Sequence, residues 1–560
     1  MIKIGIFDRY LSTLGGGERY SCKMAEVLSK NNNYKVDLIT DLYSDLSEVS
    51  ERLNLDLSET ELRILPFISD DYAQNITGGY DIFINATYLS AFAPRAKYNI
   101  YVCYFPTPFD SDFRPVHRFL LAFFRKPARW LYGKSEKFLS SPGRNEITEG
   151  IYDLKRFMLG RGSWSTGEII IRADRSSFIP DNMYFSEDDK KNNDLFIKLG
   201  IKNPVDTGLE NMSVRISVHP SAVSRSPSVI IEENLGAGQK KSIKVPVRPD
   251  EVSYIKISSD VFTPSGKNGR EQDSRKLGVV LYDESDISLP KKIFFKILGY
   301  IPMFLVTYPS GFKFLESYNE ILSISGYTEY WIKRYWKKDS RILFPPVDTE
   351  SFKAGSKEKI ILSVGRFFPE HHNKKQYELA RAFTEMVKTD PNEMKDYRLI
   401  LAGGLENRES HTAYVEKIKE ISEGYPIEIR TNISWSELKD LFSKAMIFWH
   451  AAGLNEDENK NPAKFEHFGI TTVEAMSAGC IPVVINRGGQ KEIIEEAVNG
   501  FKFEDISELK EKTIYVIKNY DHIDKIKFRA ISDSRKYSNK NFEENLLKII
   551  AEATEKLKKD

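Results

Sequence analysis

Cysteine is scarce in this chain. Cys22, Cys103 and Cys480 are the only three in 560 residues and lie far apart, which argues against a disulfide framework and fits a reducing compartment. No His, Cys, Asp and Glu cluster has ligand spacing, so no metal is expected. An excess of one charge is also missing: 81 Lys and Arg stand against 80 Asp and Glu, and nothing global points to nucleic acid. No apolar run approaches the ~20 residues that a spanning helix needs. There are no internal repeats, and the opening Met1-Ile-Lys-Ile-Gly-Ile-Phe7 alternates as a buried strand without a signal peptide's charged head or cleavage site. A cytoplasmic location is the expectation. What is present is a globular composition, 41% apolar and 29% charged, in a chain long enough for three or four domains.

The first hundred residues alternate strand and helix: Ile2–Phe7, a helix from about Glu18 to Leu28, then Val36–Thr40, Leu62–Leu65, Ile82–Asn85 and Ile100–Tyr104. A second series runs through Ile360–Val364, Leu399–Ala402, Ile427–Arg430, Met446–His450 and Ile481–Ile485. Both read as doubly wound parallel sheets. Between them, from about Trp164 to Leu289, short β-type runs punctuated by Asn, Asp, Gly, Pro and Ser predict an inserted all-β sandwich of roughly 120 residues. The resulting division is 1–164 and 289–345 for the amino-terminal domain, 165–288 for the insert, 346–530 for the carboxyl-terminal domain, and 531–560 for a last helix crossing back to the first domain.

The most informative segment is Lys464-Phe-Glu-His-Phe-Gly-Ile-Thr-Thr-Val-Glu474. Glu466 precedes a turn at Gly469, and Glu474 falls within the helix that Ile470, Val473 and Met476 mark by their spacing. A helix start exposes unpaired N–H groups and the positive end of the dipole, which suits a diphosphate. One acid then faces a sugar on one side of that phosphate and the other a ribose on the far side. This segment resembles the E-x7-E signature of the retaining, family 4 type glycosyltransferases of the GT-B fold. Ser363-Val-Gly365-Arg366 with Lys374 and Lys375, Leu399-Ile-Leu-Ala-Gly-Gly404, Trp449-His450, Ala478-Gly-Cys-Ile-Pro-Val-Val-Ile485 and Gly488-Gly489 follow the family's order across about 340–505, and Gly15-Gly-Gly-Glu-Arg19 matches its amino-terminal half. Within the family, the chain looks most like mannosyltransferases that extend lipid-linked oligosaccharides and enzymes that build bacterial surface polysaccharides.

The resemblance implies an α/β chain of the GT-B class: two Rossmann-like parallel-sheet domains facing across a cleft, here with an added β sandwich. It implies transfer of a hexose, mannose from GDP-mannose being the expected donor, onto a lipid-linked or growing glycan. Arg366 and Lys374 hold the diphosphate, with Lys375 as an alternative because the Arg-to-Lys gap is longer here. Glu466 contacts the sugar; Glu474 accepts the ribose hydroxyls, a duty suited to an acceptor-only carboxylate. His467, Phe468, Gly469, Ile470, Thr471 and Gly365 complete the donor side, while Gly16 and Gly17 serve from the opposite sheet. Side-chain cations can balance the diphosphate, so neither metal nor other cofactor is implied. The family often carries a histidine after the fourth amino-terminal strand, where this chain has Cys103 or Tyr104; Tyr104 and Asp8 are the acceptor-side candidates. His450 reads as structural.

Two segments mix basic and aromatic or apolar residues, 114–137 and 291–308, and suit either the plane of an anionic membrane at its inner face or core helices with solvated faces. Two rivals to a transferase stay open: a non-hydrolysing nucleotide-sugar epimerase of the same fold, and a catalytically silent glycan-binding protein that uses the β insert.

Overall fold

The computed structural model describes the chain outside residues 12–14, 41–45, 65–76, 92, 107–114, 140–145, 152–162, 174–194, 206–208, 220–226, 248–252, 263–276, 284–292, 294–296, 298–299, 303–304, 306–311, 370–372, 406–408 and 559–560. It forms two compact units, Met1–Tyr101 with Phe109–Asn319 and Val102–Pro108 with Glu320–Asp560.

In the first unit, β1 (Ile2–Phe7), β2 (Tyr34–Thr40), β3 (Glu61–Ile64), β4 (Ile82–Asn85) and β5 (Tyr98–Cys103) run parallel in the order β5-β4-β1-β2-β3. β4 and β5 are buried along their whole length, the pattern of strands covered on both faces. The helix Gly16–Ser29 follows β1 directly and buries Tyr20, Cys22, Met24 and Leu28. The long helix Pro115–Leu139 is different. Among its described side chains, Val116, Phe119, Phe123, Phe124 and Trp130 are each at least half exposed.

The same unit holds the β insert. Its strands are β6 (Glu146–Ile151), β7 (Ser163–Ala173), β8 (Leu195–Lys202), β9 (Asn211–His219), β10 (Val229–Gly236), β11 (Lys240–Val247), β12 (Ser253–Ser259) and β13 (Val280–Asp283). They pair antiparallel in the order β10-β9-β12-β7-β13-β8-β11, with β6 on β7. Alternation builds the core: Met212, Val214 and Ile216 of β9 turn inward against Ile255 and Ile257 of β12, while the residues between them face out. β6 and β8 are additions to the sequence reading, and Leu277 pairs with Phe262 as an isolated bridge ahead of β13.

In the second unit, β14 (Glu320–Ser323) pairs in parallel with β15 (Arg341–Ile342). The main sheet comprises β16 (Glu358–Val364), β17 (Arg398–Gly403), β18 (Ile427–Thr431), β19 (Ala445–His450), β20 (Ile481–Ile485) and β21 (Phe501–Phe503), all parallel, in the order β18-β17-β16-β19-β20-β21. Its central strands bury both faces, while the edge strand β18 is partly exposed throughout. Ile361, Leu399, Leu401, Ile447 and Trp449 feed one core, and Ile360, Leu362, Ile400 and Phe448 the other. Chain order reverses between β16 and β19. At such a switch point the loops leaving the carboxyl ends of the two strands diverge and open a crevice for a ligand. The final helix, Asn539–Leu557, packs within this unit, where Arg341 pairs with Glu552 at 2.7 Å.

Candidate active site

The loops beyond β16 and β19 bring the sequence-predicted site residues together. Gly365 ends β16 by donating its N–H to Ala402 O at 2.9 Å. A Cβ at Gly365 would lie 2.6 Å from Lys374 Cγ, so glycine is what lets the lysine stem lie across this backbone. Gln376 Nε2 then binds the carbonyls of both Gly365 and Arg366 at 3.1 Å, tying the Arg366 turn to the start of the helix Gln376–Thr389. The Arg366 guanidinium stands over the Phe368 ring, 5.2 Å from its centroid.

Lys374 and Lys375 part company here. Lys375 adopts φ 61 and donates its N–H to Asn373 Oδ1, and Tyr414 donates its hydroxyl to the same oxygen at 3.2 Å. That twist sends the Lys375 ammonium toward Glu456, at 3.6 Å, while Lys374 Nζ meets Glu466 Oε2 at 2.5 Å. His450, the last residue of β19 and almost wholly buried, brings Nε2 to the same Glu466 oxygen at 2.9 Å. Burial pushes the Glu466 carboxyl up, but the Lys374 ammonium and the His450 bond more than offset it and hold the group well below the usual carboxylate range. For His450 burial wins. It pushes the ring's pKa below its ordinary value despite the neighbouring carboxylate, so the imidazole is neutral near pH 7.

Beyond Glu466 each residue has a definite place. The His467 ring stacks on Phe105 with centroids 4.2 Å apart, and its carbonyl accepts a bond from Ser325 Oγ at 2.5 Å. Phe468 is buried against Phe344 and Tyr537. Gly469 caps the helix Ile470–Ser477 with φ 126, a backbone conformation that side chains resist, and a Cβ there would strike Gln490 Nε2 at 2.6 Å. The N–H groups of Ile470 and Thr471, at the start of that helix, have no intrahelical acceptor. Glu474 lies one turn in and is buried.

Four further residues belong to this neighbourhood: His450, Phe105, Gln490 and Glu492. Gln490 is fully buried with both amide atoms lacking a hydrogen-bond partner, beside the Gly469 cap. Glu492 accepts the N–H of Gly326 at 2.8 Å, capping the helix Gly326–Trp336; burial raises its pKa. His450 stands in the Trp449-His450 motif and Gln490 and Glu492 follow Gly488-Gly489, whereas no motif marks Phe105.

Of the acceptor-side candidates, Tyr104 offers its carbonyl to Thr328 Oγ1 at 3.0 Å. Asp8, Gly16 and Gly17 lie in the first unit. Asp8 follows β1, is buried, and takes bonds from Ser21 Oγ at 2.5 Å and Tyr10 N at 3.0 Å. Burial, and then the charge of Glu18, push its pKa up to about 7. Gly16 and Gly17 open the helix Gly16–Ser29, whose cap is closed by Gly15 N donating to Glu18 Oε2 at 2.6 Å.

Residues 347–533 match the family model described as glycosyl transferases group 1. Over 316 residues the chain is 27% identical to the GDP-Man:Man(3)GlcNAc(2)-PP-Dol alpha-1,2-mannosyltransferase of Dictyostelium discoideum, covering 53% of this chain and 58% of that protein. The proteins of the same name from Xenopus tropicalis and Homo sapiens are 34% and 32% identical over 205 and 185 residues, covering 35% and 30% of this chain. Those two alignments span 38% and 34% of the relatives' own length. The chain thus has two parallel-sheet units and, through residues 347–533, is similar to group 1 glycosyltransferases, with mannosyltransferases among the relatives it matches over less than two thirds of their length.

Proposed function

We propose that the chain transfers mannose from GDP-mannose, with retention of configuration, to a lipid-linked oligosaccharide or a growing surface glycan. The observation that carries this reading is the meeting of Lys374, His450 and Glu466 at the switch point of a parallel sheet, one turn from a glycine-capped helix start. Breaking the sugar–phosphate bond gathers negative charge on the leaving diphosphate. Arg366, Lys374 and the backbone donors at Gly469–Thr471 are suited to hold that charge, a contribution worth several kcal/mol where water is excluded. An ionised Glu466 accepts from sugar hydroxyls, and Glu474 from the ribose. In a front-face displacement the leaving phosphate removes the acceptor's proton, so the chain needs no carboxylate pair at glycosidase spacing.

A panel of nucleotides in a thermal-shift assay tests the donor. A ligand at one hundred times its Kd adds about 2.7 kcal/mol of stability, and GDP or GDP-mannose is expected to outperform uridine nucleotides. Transfer of labelled mannose to a lipid-linked acceptor, with the anomeric configuration read by NMR, tests the reaction. Formation of an epimer without transfer, or indifference to every nucleotide, would sink the reading.

The acceptor reading places the protein peripherally at the inner face of the membrane. Supporting it, Val116, Phe119, Phe123, Phe124 and Trp130 project into solvent from a helix that also carries Lys126 and Arg129. Among the described residues of 291–308, Ile293, Ile297 and Tyr300 are exposed while Leu305 is buried; the segment's basic residues Lys291, Lys292 and Lys296 lie outside the described residues. Among the described residues, no helix is long and apolar enough to cross a membrane. Replacing Phe119 and Phe123 by serine should weaken sedimentation with anionic vesicles by about thirtyfold, each aromatic being worth on the order of 1 kcal/mol at the interface. Unchanged sedimentation would remove the membrane role of this helix.

A further inference from the structure

Two donors converge on Glu466 Oε2, and they are not alike. Lys374 is a cation on a long, partly exposed stem; His450 is a nearly buried ring at the end of a central strand, its backbone held in register with Val484. Because an ionised carboxylate only accepts, His450 must carry its proton on Nε2. Its Nδ1 is then buried without a hydrogen-bond partner. A side chain kept only to fill that core space would do better without an unpaired nitrogen, so the bond to Glu466 is what the ring supplies.

We propose that His450 is a positioning residue: it fixes Glu466 Oε2 from the β19 strand end, so that Oε1 is left to meet the donor sugar's hydroxyls. This rests on the proposed reading of Glu466 as the sugar contact. The division of labour follows from charge. A diphosphate competes with Glu466 for the Lys374 ammonium, and a carboxylate held by lysine alone would lose its orientation when the lysine turns to phosphate. His450 keeps the carboxylate in place without adding a second cation that would draw the diphosphate toward the sugar subsite. A neutral ring on a rigid strand suits that duty.

The test compares full-length wild type with His450→Ala and His450→Gln, titrating each with GDP-mannose and with GDP. Gln offers an N–H near the position of His Nε2; Ala offers none. The Ala variant should bind GDP-mannose about tenfold more weakly, as the loss of one hydrogen bond to a charged group implies, with GDP affinity within about twofold of wild type. The Gln variant should recover most of the loss. If the Ala variant binds both ligands as wild type does, or if Ala and Gln lose both ligands in equal proportion, the positioning role is overturned. Wild-type protein that binds neither ligand overturns the proposed function instead, which keeps the two failures apart.

Discussion

Two carboxylates near strand ends of parallel sheets, Asp8 buried and Glu466 partly buried, have opposite surroundings. Asp8 follows β1 with Glu18 near it, and burial and that like charge lift its pKa to about 7. Glu466 follows β19 in space, with Lys374 and His450 on one oxygen, and is held far on the acidic side. Burial raises both; the neighbour's charge decides the outcome. One sheet therefore presents an acid able to exchange a proton near neutrality, and the other an acid fixed in its ionised form. The first changes charge near neutrality, and the second stays ionised there.

The comparison is broken most directly at Glu466. Glu466→Gln keeps the shape but removes the charge that organises Lys374, and kcat/KM for transfer should fall by on the order of 10³, near the loss of a transition-state contact of about 4 kcal/mol. Activity within tenfold of wild type would mean that the carboxylate is not at the chemistry. Next in size is Lys374→Met, which strands Glu466 in a largely buried site at a cost on the order of 3 kcal/mol. With its folded pKa depressed, wild-type Glu466 contributes stability above its unfolded pKa that is lost as pH falls through the folded value. The variant should melt well below wild type at pH 7, and the gap should close in acid; a gap constant with pH would refute the ion pair's role. Smallest is Asp8→Asn. A raised folded pKa means stability fully present below the unfolded value of 3.8 and lost as pH rises through about 7. The amide avoids that loss, so the variant should melt with wild type near pH 4 and a few degrees higher at pH 8. Equal melting at both pH values would show that Asp8 is not destabilised by ionisation.

Much of the second unit was legible because parallel strands buried on both faces are written as continuous apolar runs, such as Ile481–Ile485, whose bounds agree with β20. The helix Ile470–Ser477 was legible from its glycine and its spacing. In the insert, β8 was missed: Gly200 interrupts its pattern, and its partner β11 lies some forty residues on, so no local hairpin signal marks it. β6 was missed because Glu146 and Glu149 dilute its apolar content. Residue types at the site could be read, but their meeting could not. Lys374 and Glu466 are 92 positions apart, and nothing local in the Lys374-Lys375 pair says which ammonium turns inward. That choice is made by the left-handed turn at Lys375 and by Tyr414, a residue with no motif to flag it. His450 read as structural from sequence because an apolar strand hid its contact with a loop 16 residues later.

The stacking of Phe105 on His467 has a practical consequence for dissection of this molecule. Residues 102–108 sit with 320–560, so the second unit is not contiguous in the gene. Expressing 320–560 by itself would strip the His467 ring of its aromatic partner and Thr328 of the Tyr104 carbonyl, and a single proteolytic cut cannot release that unit whole.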